Sequence, residues 1–198
     1  MNIHVVDIRE GEKSGVKAMI SRTHPGLVRR LFEEEVPEIF DGTVKIQAIS
    51  REAGSRTKVA VFSADENVDA VGSCIGARGA RVGKVVDLLG GEKIDIVKYS
   101  EDPAEFIAAS LAPADVISVE VLDDAPNSCR VVVPDNQLSL AIGNKGQNAR
   151  LAAKLTGRSM SIFVSRSGNQ YRARTLANIC YIGINSFDRL CSCDRIIC

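Results

Sequence analysis

Two Ile-Gly-x-x-Gly strings, Ile75-Gly76-Ala77-Arg78-Gly79 and Ile142-Gly143-Asn144-Lys145-Gly146, stand 67 residues apart in a chain of 198. Two later glycines, Gly91 and Gly157, repeat at 66. An offset that drifts by about one residue over about fifteen marks a tandem repeat, so whatever one copy folds into, the other must fold into as well. A single Gly-x-x-Gly is weak, because 16 glycines produce about one by chance. The surroundings carry the weight: each string joins two helical patterns and each is followed by a basic helix.

The periodicity of each copy predicts the same order of elements. In the first, Leu27, Val28, Leu31 and Phe32 recur at helical spacing after the turn-rich Ser21-Arg22-Thr23-His24-Pro25-Gly26. Val44, Ile46 and Ala48 then alternate, as do Val59 and Val61 beyond the Ala53-Gly54-Ser55-Arg56 turn, giving a hairpin. A short helix holds Val71, Cys74 and Ile75; the glycine loop follows; and Val82, Val85, Val86 and Leu89 mark a second helix that Gly90-Gly91 stops. Ile94 and Ile96 close the unit as a strand.

The second copy starts at Asp102-Pro103-Ala104-Glu105, an N-cap acid, a first-position proline and a glutamate three residues on. A helix with Phe106, Ile107 and Leu111 follows. Next come strands through Ile117, Val119 and Val121 and through Val131-Val132-Val133, either side of a turn at residues 123–127. Pro134-Asp135-Asn136 opens a short helix to Ile142, the second loop follows, and a helix with Ala149, Ala152 and Ala153 leads to a strand at Met160 and Ile162.

Ahead of both copies, Ile3 to Ile8 and Val16 to Ile20 read as a β-hairpin around a charged loop. A lone hairpin is marginal in water, so it needs something to pack on or belongs to a larger sheet.

The loops predict a chemistry. Glycine lets the backbone turn tightly and approach a sugar-phosphate chain with no Cβ in the way. The helix after each loop aims free N–H groups and its positive dipole end at the same spot. Cys74 to Val86 holds Arg78, Arg81 and Lys84 and no acid, and Gly143 to Lys154 holds Lys145, Arg150 and Lys154 and no acid. A chain with 25 basic and 25 acidic residues has thus placed two clusters of three cations at equivalent positions. This is how KH modules clamp about four nucleotides of single-stranded RNA by the backbone. The expected RNA-binding residues are Ile75, Gly76, Ala77, Arg78, Gly79, Arg81 and Lys84, with Ile142, Gly143, Asn144, Lys145, Gly146, Gln147, Asn148 and Arg150 in the second copy. The bland alternative is that both loops are only tight turns and the helix cations a solvated face, with Lys84 pairing Asp87 at helical spacing.

The helix-strand-strand-helix-helix-strand order with Ile-Gly-x-x-Gly resembles the prokaryotic, type II KH fold. Longer strings, among them Cys74 to Val82, Gly90 to Ile96, Ser100 to Ile107 and Val131 to Gly143, resemble the NusA family of transcription termination/antitermination factors. So does Ser21 to Gly26, which in that family joins an OB-fold domain to the first KH domain. The resemblance covers about residues 1–164. It implies an α+β chain of two tandem type II KH domains, each a mixed three-stranded sheet with helices on one face, behind a partial OB-fold hairpin. It further implies a cytoplasmic bacterial factor that holds nascent single-stranded RNA at RNA polymerase, with other transcription factors as candidate partners.

The expected division is 1–22 for the hairpin, 23–99 and 100–164 for the KH domains and 165–198 for an unmatched tail. By this resemblance the sequence is expected to start at the last hairpin of the OB barrel, without the family's N-terminal polymerase-binding domain, and its closing strand at Gly157 to Ile162 lacks the usual aromatic and acidic residues. The tail carries four of the six cysteines and five arginines against Asp188 and Asp194. A shifted reading frame or a fusion join is the expectation for so abrupt a change.

Other functions find little support. No apolar run approaches the roughly 18 residues of a membrane span, and Met1 to Val5 has no signal-peptide layout. With no Trp and 5% aromatics, stacking on aromatic platforms is not the expected mode of recognition. No cysteine pair or histidine has metal-ligand spacing, Cys74 and Cys129 read as small buried residues, and Glu33-Glu34-Glu35 fans around a helix as a solvated face. No nucleophile–base constellation, P-loop or dinucleotide fingerprint occurs, so neither catalysis nor a cofactor is expected. The competing readings are a KH-fold protein-interaction scaffold and a ribosome-associated RNA binder.

Overall fold

The computed structural model describes residues 2–11, 15–122 and 127–165. The hairpin loop at 12–14, most of the turn at 123–127 and the tail from 166, with Cys180, Cys191, Cys193 and Cys198, lie outside the described residues.

The chain opens with an antiparallel hairpin of β1 (His4–Gly11) and β2 (Gly15–Ser21). The first KH unit runs α1 (Pro25–Glu35), α2 (Pro37–Phe40), β3 (Val44–Glu52), β4 (Arg56–Ser63), α3 (Ala70–Ile75), α4 (Ala80–Leu88) and β5 (Lys93–Lys98). The second runs α5 (Pro103–Ser110), β6 (Ser118–Val121), β7 (Ser128–Pro134), α6 (Leu138–Ile142), α7 (Gln147–Thr156) and β8 (Ser159–Ser165). In each unit an antiparallel pair is completed by a parallel third strand, in the orders β3-β4-β5 and β6-β7-β8. The expected α+β architecture of two three-stranded mixed sheets behind a hairpin is therefore present. The altered closing strand forms in full as β8, paired with β7 from Ser128↔Ser159 to Pro134↔Ser165.

Local chemistry sets the helix starts. His24 caps α1 by accepting the Gly26 N–H at 3.0 Å, and Pro25 follows where no N–H is needed. Asp102 caps α5 through the Ala104 N–H at 3.1 Å, with Pro103 in the same role. Glu105 does not reach back to the cap as a capping box would; it accepts the Ser100 hydroxyl at 2.8 Å, and Ser100 in turn accepts the Asp102 N–H at 3.2 Å. The sequence order also omitted α2, a single turn begun at Pro37 with no counterpart in the second unit.

Each unit has its own core. Leu27, Val28, Leu31 and Phe32 of α1 meet Val59 and Val61 of β4 and Val85 of α4. Ile107 and Leu111 meet Val131 and Val133 of β7 and the Ala149 and Ala152 face of α7. A third cluster joins Ala60 and Val97 of the first sheet to Phe106 and Leu155 of the second unit.

That third cluster explains why β4 is buried on both faces from Thr57 to Val61. Thr57, Val59 and Val61 look toward the first unit's own helices, while Lys58 and Ala60 look toward α5 and α7. Helices thus line one face of the first sheet as expected, and the second unit covers the other. Tyr99 packs edge-on to both Phe62 and Phe106, at 6.2 and 5.0 Å between centroids. The Lys58 ammonium, wholly buried, donates to Asp95 at 3.1 Å and across the seam to the Ala112 carbonyl at 2.8 Å. Burial lowers the Lys58 pKa against the pull of Asp95. Burial alone would raise the Asp95 carboxyl, but hydrogen bonds from Arg56 and the charge of Lys58 outweigh it and leave it below its ordinary value.

The hairpin has no such cover among the described residues. Ile8, Val16 and Ile20 are exposed, at 64%, 68% and 59%. Its described ties to the joint are Arg22, which donates to the Asn2 carbonyl at 2.7 Å, and a parallel stack of His4 on His24 at 4.7 Å. The fold thus brings together two histidines twenty positions apart. Among the described residues, however, no group of three or more His, Cys, Asp or Glu could hold a metal.

Candidate nucleic-acid interface

The two glycine loops share one backbone conformation. Gly76 has φ 72 and ψ 176, and Gly143 has φ 75 and ψ 176. Non-glycine residues essentially never enter that region. Space forbids a side chain too: an added Cβ would lie 2.7 Å from Arg81 Cγ at Gly76, and 2.8 Å from the Asn148 backbone N at Gly143. The closing glycines, Gly79 and Gly146, are left-handed at φ 78 and 76, and each donates its N–H to the first glycine's carbonyl at 3.1 and 3.2 Å.

Between them, Arg78 and Lys145 adopt φ 54 and 50. These are the described non-glycine residues with positive φ, a conformation costing about 1–2 kcal/mol for an L-residue. Both side chains are exposed, and neither makes an ion pair among the described residues. Ala77 and Asn144 beside them are exposed as well. No side chain caps the helices that start here, α4 at Gly79 and α7 at Gly146, so both loops present cation, glycine backbone and uncapped helix N-terminus together. Ile75 is 37% exposed at the end of α3, and Ile142 holds the same place partly buried.

The remaining expected site residues do other work. Arg81 and Asn148 occupy equivalent positions, and both fold back beneath their loop. Arg81 donates to the Ser73 carbonyl at 2.6 Å, and Asn148 to the equivalent Leu140 carbonyl at 3.2 Å. Asn148 is buried and also reaches the Leu111 carbonyl at 2.9 Å, so it braces the loop from inside. Arg81 is tied further to Glu38 at 2.9 Å.

Lys84 does not meet Asp87 along its own helix; it meets Glu35 of α1 at 3.0 Å. Glu35 is therefore more than the solvated residue its run suggested. Arg150 donates to Glu52 at 2.7 Å and to the Lys145 carbonyl at 3.3 Å, and Gln147 reaches Glu52 at 2.7 Å and Ser55 at 2.8 Å. Burial alone would raise the Glu52 carboxyl, but hydrogen bonds from Arg150 and Gln147 more than offset it and hold the pKa below its usual value.

Each basic stretch lacks acids in sequence, yet Glu38, Glu35 and Glu52 arrive from elsewhere and engage three of the six cations. Sequence reasoning missed Glu52 and Ser55 entirely. Their partners lie more than ninety positions away, and no local pattern signals such a pairing.

Comparison with known proteins finds a family match for each of the two units. Residues 22–99 match the NusA-like first KH domain and residues 103–170 the NusA-like second KH domain. The second match runs past 164, where the sequence resemblance was expected to end. Three relatives are named transcription termination/antitermination protein NusA. That of Halalkalibacterium halodurans is 55% identical over 77% of this chain, that of Bacillus subtilis 51% over 82%, and that of Mycobacterium tuberculosis 55% over 79%. The chain spans 40%, 43% and 45% of those proteins, less than half of each. With two KH units in succession, each matched in its own place in that order, the chain belongs to the NusA family.

Proposed function

We propose that this chain is the RNA-gripping portion of a transcription termination/antitermination factor, holding single-stranded nascent RNA by its backbone at two points. In this reading Ile75 to Gly79 and Ile142 to Gly146 form the contact surface. Arg78 and Lys145 supply phosphate-directed charge, and bases lie over the neighbouring apolar groove. The chain works without catalysis or a cofactor. Its division is the hairpin at 1–22, KH units at 23–99 and 100–164, and the tail. Its larger assembly is RNA polymerase in the cytoplasm, and the names of its relatives favour that setting over a ribosomal one. Among the described residues no helix is long and apolar enough to cross a membrane.

The observation that carries this reading is the matched pair of Arg78 and Lys145. Each is an exposed cation with no ion pair among the described residues, at a backbone angle that costs energy and at the apex of a glycine loop shaped like its twin. Strain kept twice at equivalent places is of the kind that clusters at ligand clamps. The remaining expected residues are assigned supporting parts: Arg81 and Asn148 brace the loops, and Lys84, Gln147 and Arg150 lie beside them with acidic or polar partners.

Titrating single-stranded RNA into the protein and into Arg78→Asp and Lys145→Asp variants tests the assignment. Each change should weaken binding by more than tenfold and flatten its salt dependence, since each removes about one phosphate contact. Binding that survives both changes and ignores salt would point instead to the interaction-scaffold reading.

A further inference from the structure

The second loop is anchored by the first KH unit, and the first loop has no reciprocal tie among the described contacts. Gln147 and Arg150 lie in the first turn of α7, immediately after the loop. Their side-chain partner is one carboxylate, Glu52 at the end of β3: Oε1 accepts from Arg150 Nε and Oε2 from Gln147 Nε2, both at 2.7 Å. Ser55, on the same turn, takes the Gln147 amide as well at 2.8 Å. Arg150 passes the constraint on, because its guanidinium donates to the carbonyl of Lys145, the residue at the loop's apex. Among the described residues the first loop is braced within its own unit, by Arg81 on Ser73 and Glu38.

We infer that Glu52 is a cross-unit positioning residue that sets the attitude of the second glycine loop toward RNA. This rests on the reading of both loops as phosphate clamps. Glu52 touches no RNA. It fixes Arg150, Arg150 fixes the Lys145 carbonyl, and the peptide following that carbonyl carries the Gly146 N–H that closes the loop. A loop already turned to its bound shape loses less freedom on binding than one that must be ordered. The arrangement also makes the loops unequal: among the described contacts the first is held from within its own unit, whereas the second is held by its neighbour.

The inference is tested with the full chain and a labelled single-stranded RNA of about ten nucleotides, long enough for two modules that take about four each. Glu52→Gln keeps the size of the side chain but sets an amide N–H₂ against a donor and removes the charge. Affinity should fall by about fivefold, the upper range for one partly exposed ion pair. In a Lys145→Ala background, where only the loop's backbone contacts remain to be positioned, the same change should have a smaller effect, while in an Arg78→Ala background it should keep its full effect. Urea unfolding of each variant measures any general loss of stability, which would instead lower affinity equally in both backgrounds.

Unchanged affinity in Glu52→Gln overturns the inference. So does tighter binding with a steeper salt slope, which would mean that Glu52 merely masks Arg150 from RNA. If Lys145→Ala and Arg78→Ala are themselves silent, the clamp reading fails and takes this inference with it. Unchanged affinity in Glu52→Gln beside an impaired Lys145→Ala removes the inference alone.

Discussion

Glu92→Ala would remove the acceptor at the centre of the first unit's most enclosed polar cluster. Both carboxylate oxygens accept from the Arg51 guanidinium at 2.9 Å, one also accepts the Thr57 hydroxyl, and the other the Gly54 N–H at 2.8 Å. The side chains of Arg51 and Glu92 are 4% and 0% exposed. Without Glu92, a buried guanidinium keeps, among the described residues, the His24 carbonyl alone, at 2.9 Å, while the Gly54 N–H and Thr57 hydroxyl lose their acceptor. Breaking a buried pair from one side costs about 3–5 kcal/mol. A loss near 4 kcal/mol is therefore expected, a large share of the roughly 5–15 kcal/mol that holds a domain folded.

Equilibrium urea unfolding followed by circular dichroism reads this directly. Arg51→Met combined with Glu92→Leu removes the stranded charge but leaves the Gly54 N–H and Thr57 without Glu92. It should recover about half of the loss, since apolar replacement of a whole buried pair is often close to neutral. A single-variant loss under about 1 kcal/mol, or a double variant no better than the single, would refute the view of this cluster as a desolvated ion pair.

Gly143→Ala should cost more than about 2 kcal/mol, because it combines a forbidden φ,ψ with a 2.8 Å contact to backbone; Gly146→Ala, left-handed with nothing within 4 Å, should cost about 1 kcal/mol, and equal losses in thermal melts would contradict the geometry. Glu52, Glu92 and Asp95 all have carboxyl pKa values held below normal, so the stability they confer is complete above about pH 4 and is lost as pH falls through their folded values. Urea midpoints should thus be flat from neutrality to about pH 5 and drop steeply below about pH 4; a drop beginning near pH 6 would implicate other groups. Burial pushes the Cys74 thiol to about 12 and the Cys129 thiol to about 11, so neither should be alkylated at neutral pH until the protein is unfolded. Peptide mapping by mass spectrometry checks this residue by residue, and labelling of either in the folded state at the unfolded rate would be the contrary result.

The periodicity made the element order legible because each strand and helix buries one face at its own spacing. The repeat added a check, since every element in one copy forecast its twin. The parts of the candidate site that are pure backbone were legible for the same reason: glycines at fixed places announce a turn only they can make. Side-chain assignments fared differently. Arg81, Asn148 and Arg150 have the character of ligand-binding residues in sequence, yet their partners come from Ser73, Leu140 and Glu52, and only the fold brings those within reach. Lys84 illustrates the limit. Its helical neighbour Asp87 was the nearest acid in sequence, but Glu35, 49 positions away, is the one it meets. Lys58 is the extreme case: a lysine in a strand reads as solvent-facing, and nothing local reveals that a second sheet face is covered by another unit.

Strand β4, walled on both sides, means that the duplicated halves have ceased to be separable pieces. Cutting between them would lay Ala60 and Val97 open to water on one piece and Phe106 and Leu155 on the other, and would leave Lys58 without the Ala112 carbonyl that receives it. Such a protein melts in one step where beads on a string would melt in two, and any drift in one half is inherited by its sibling through the wall they share.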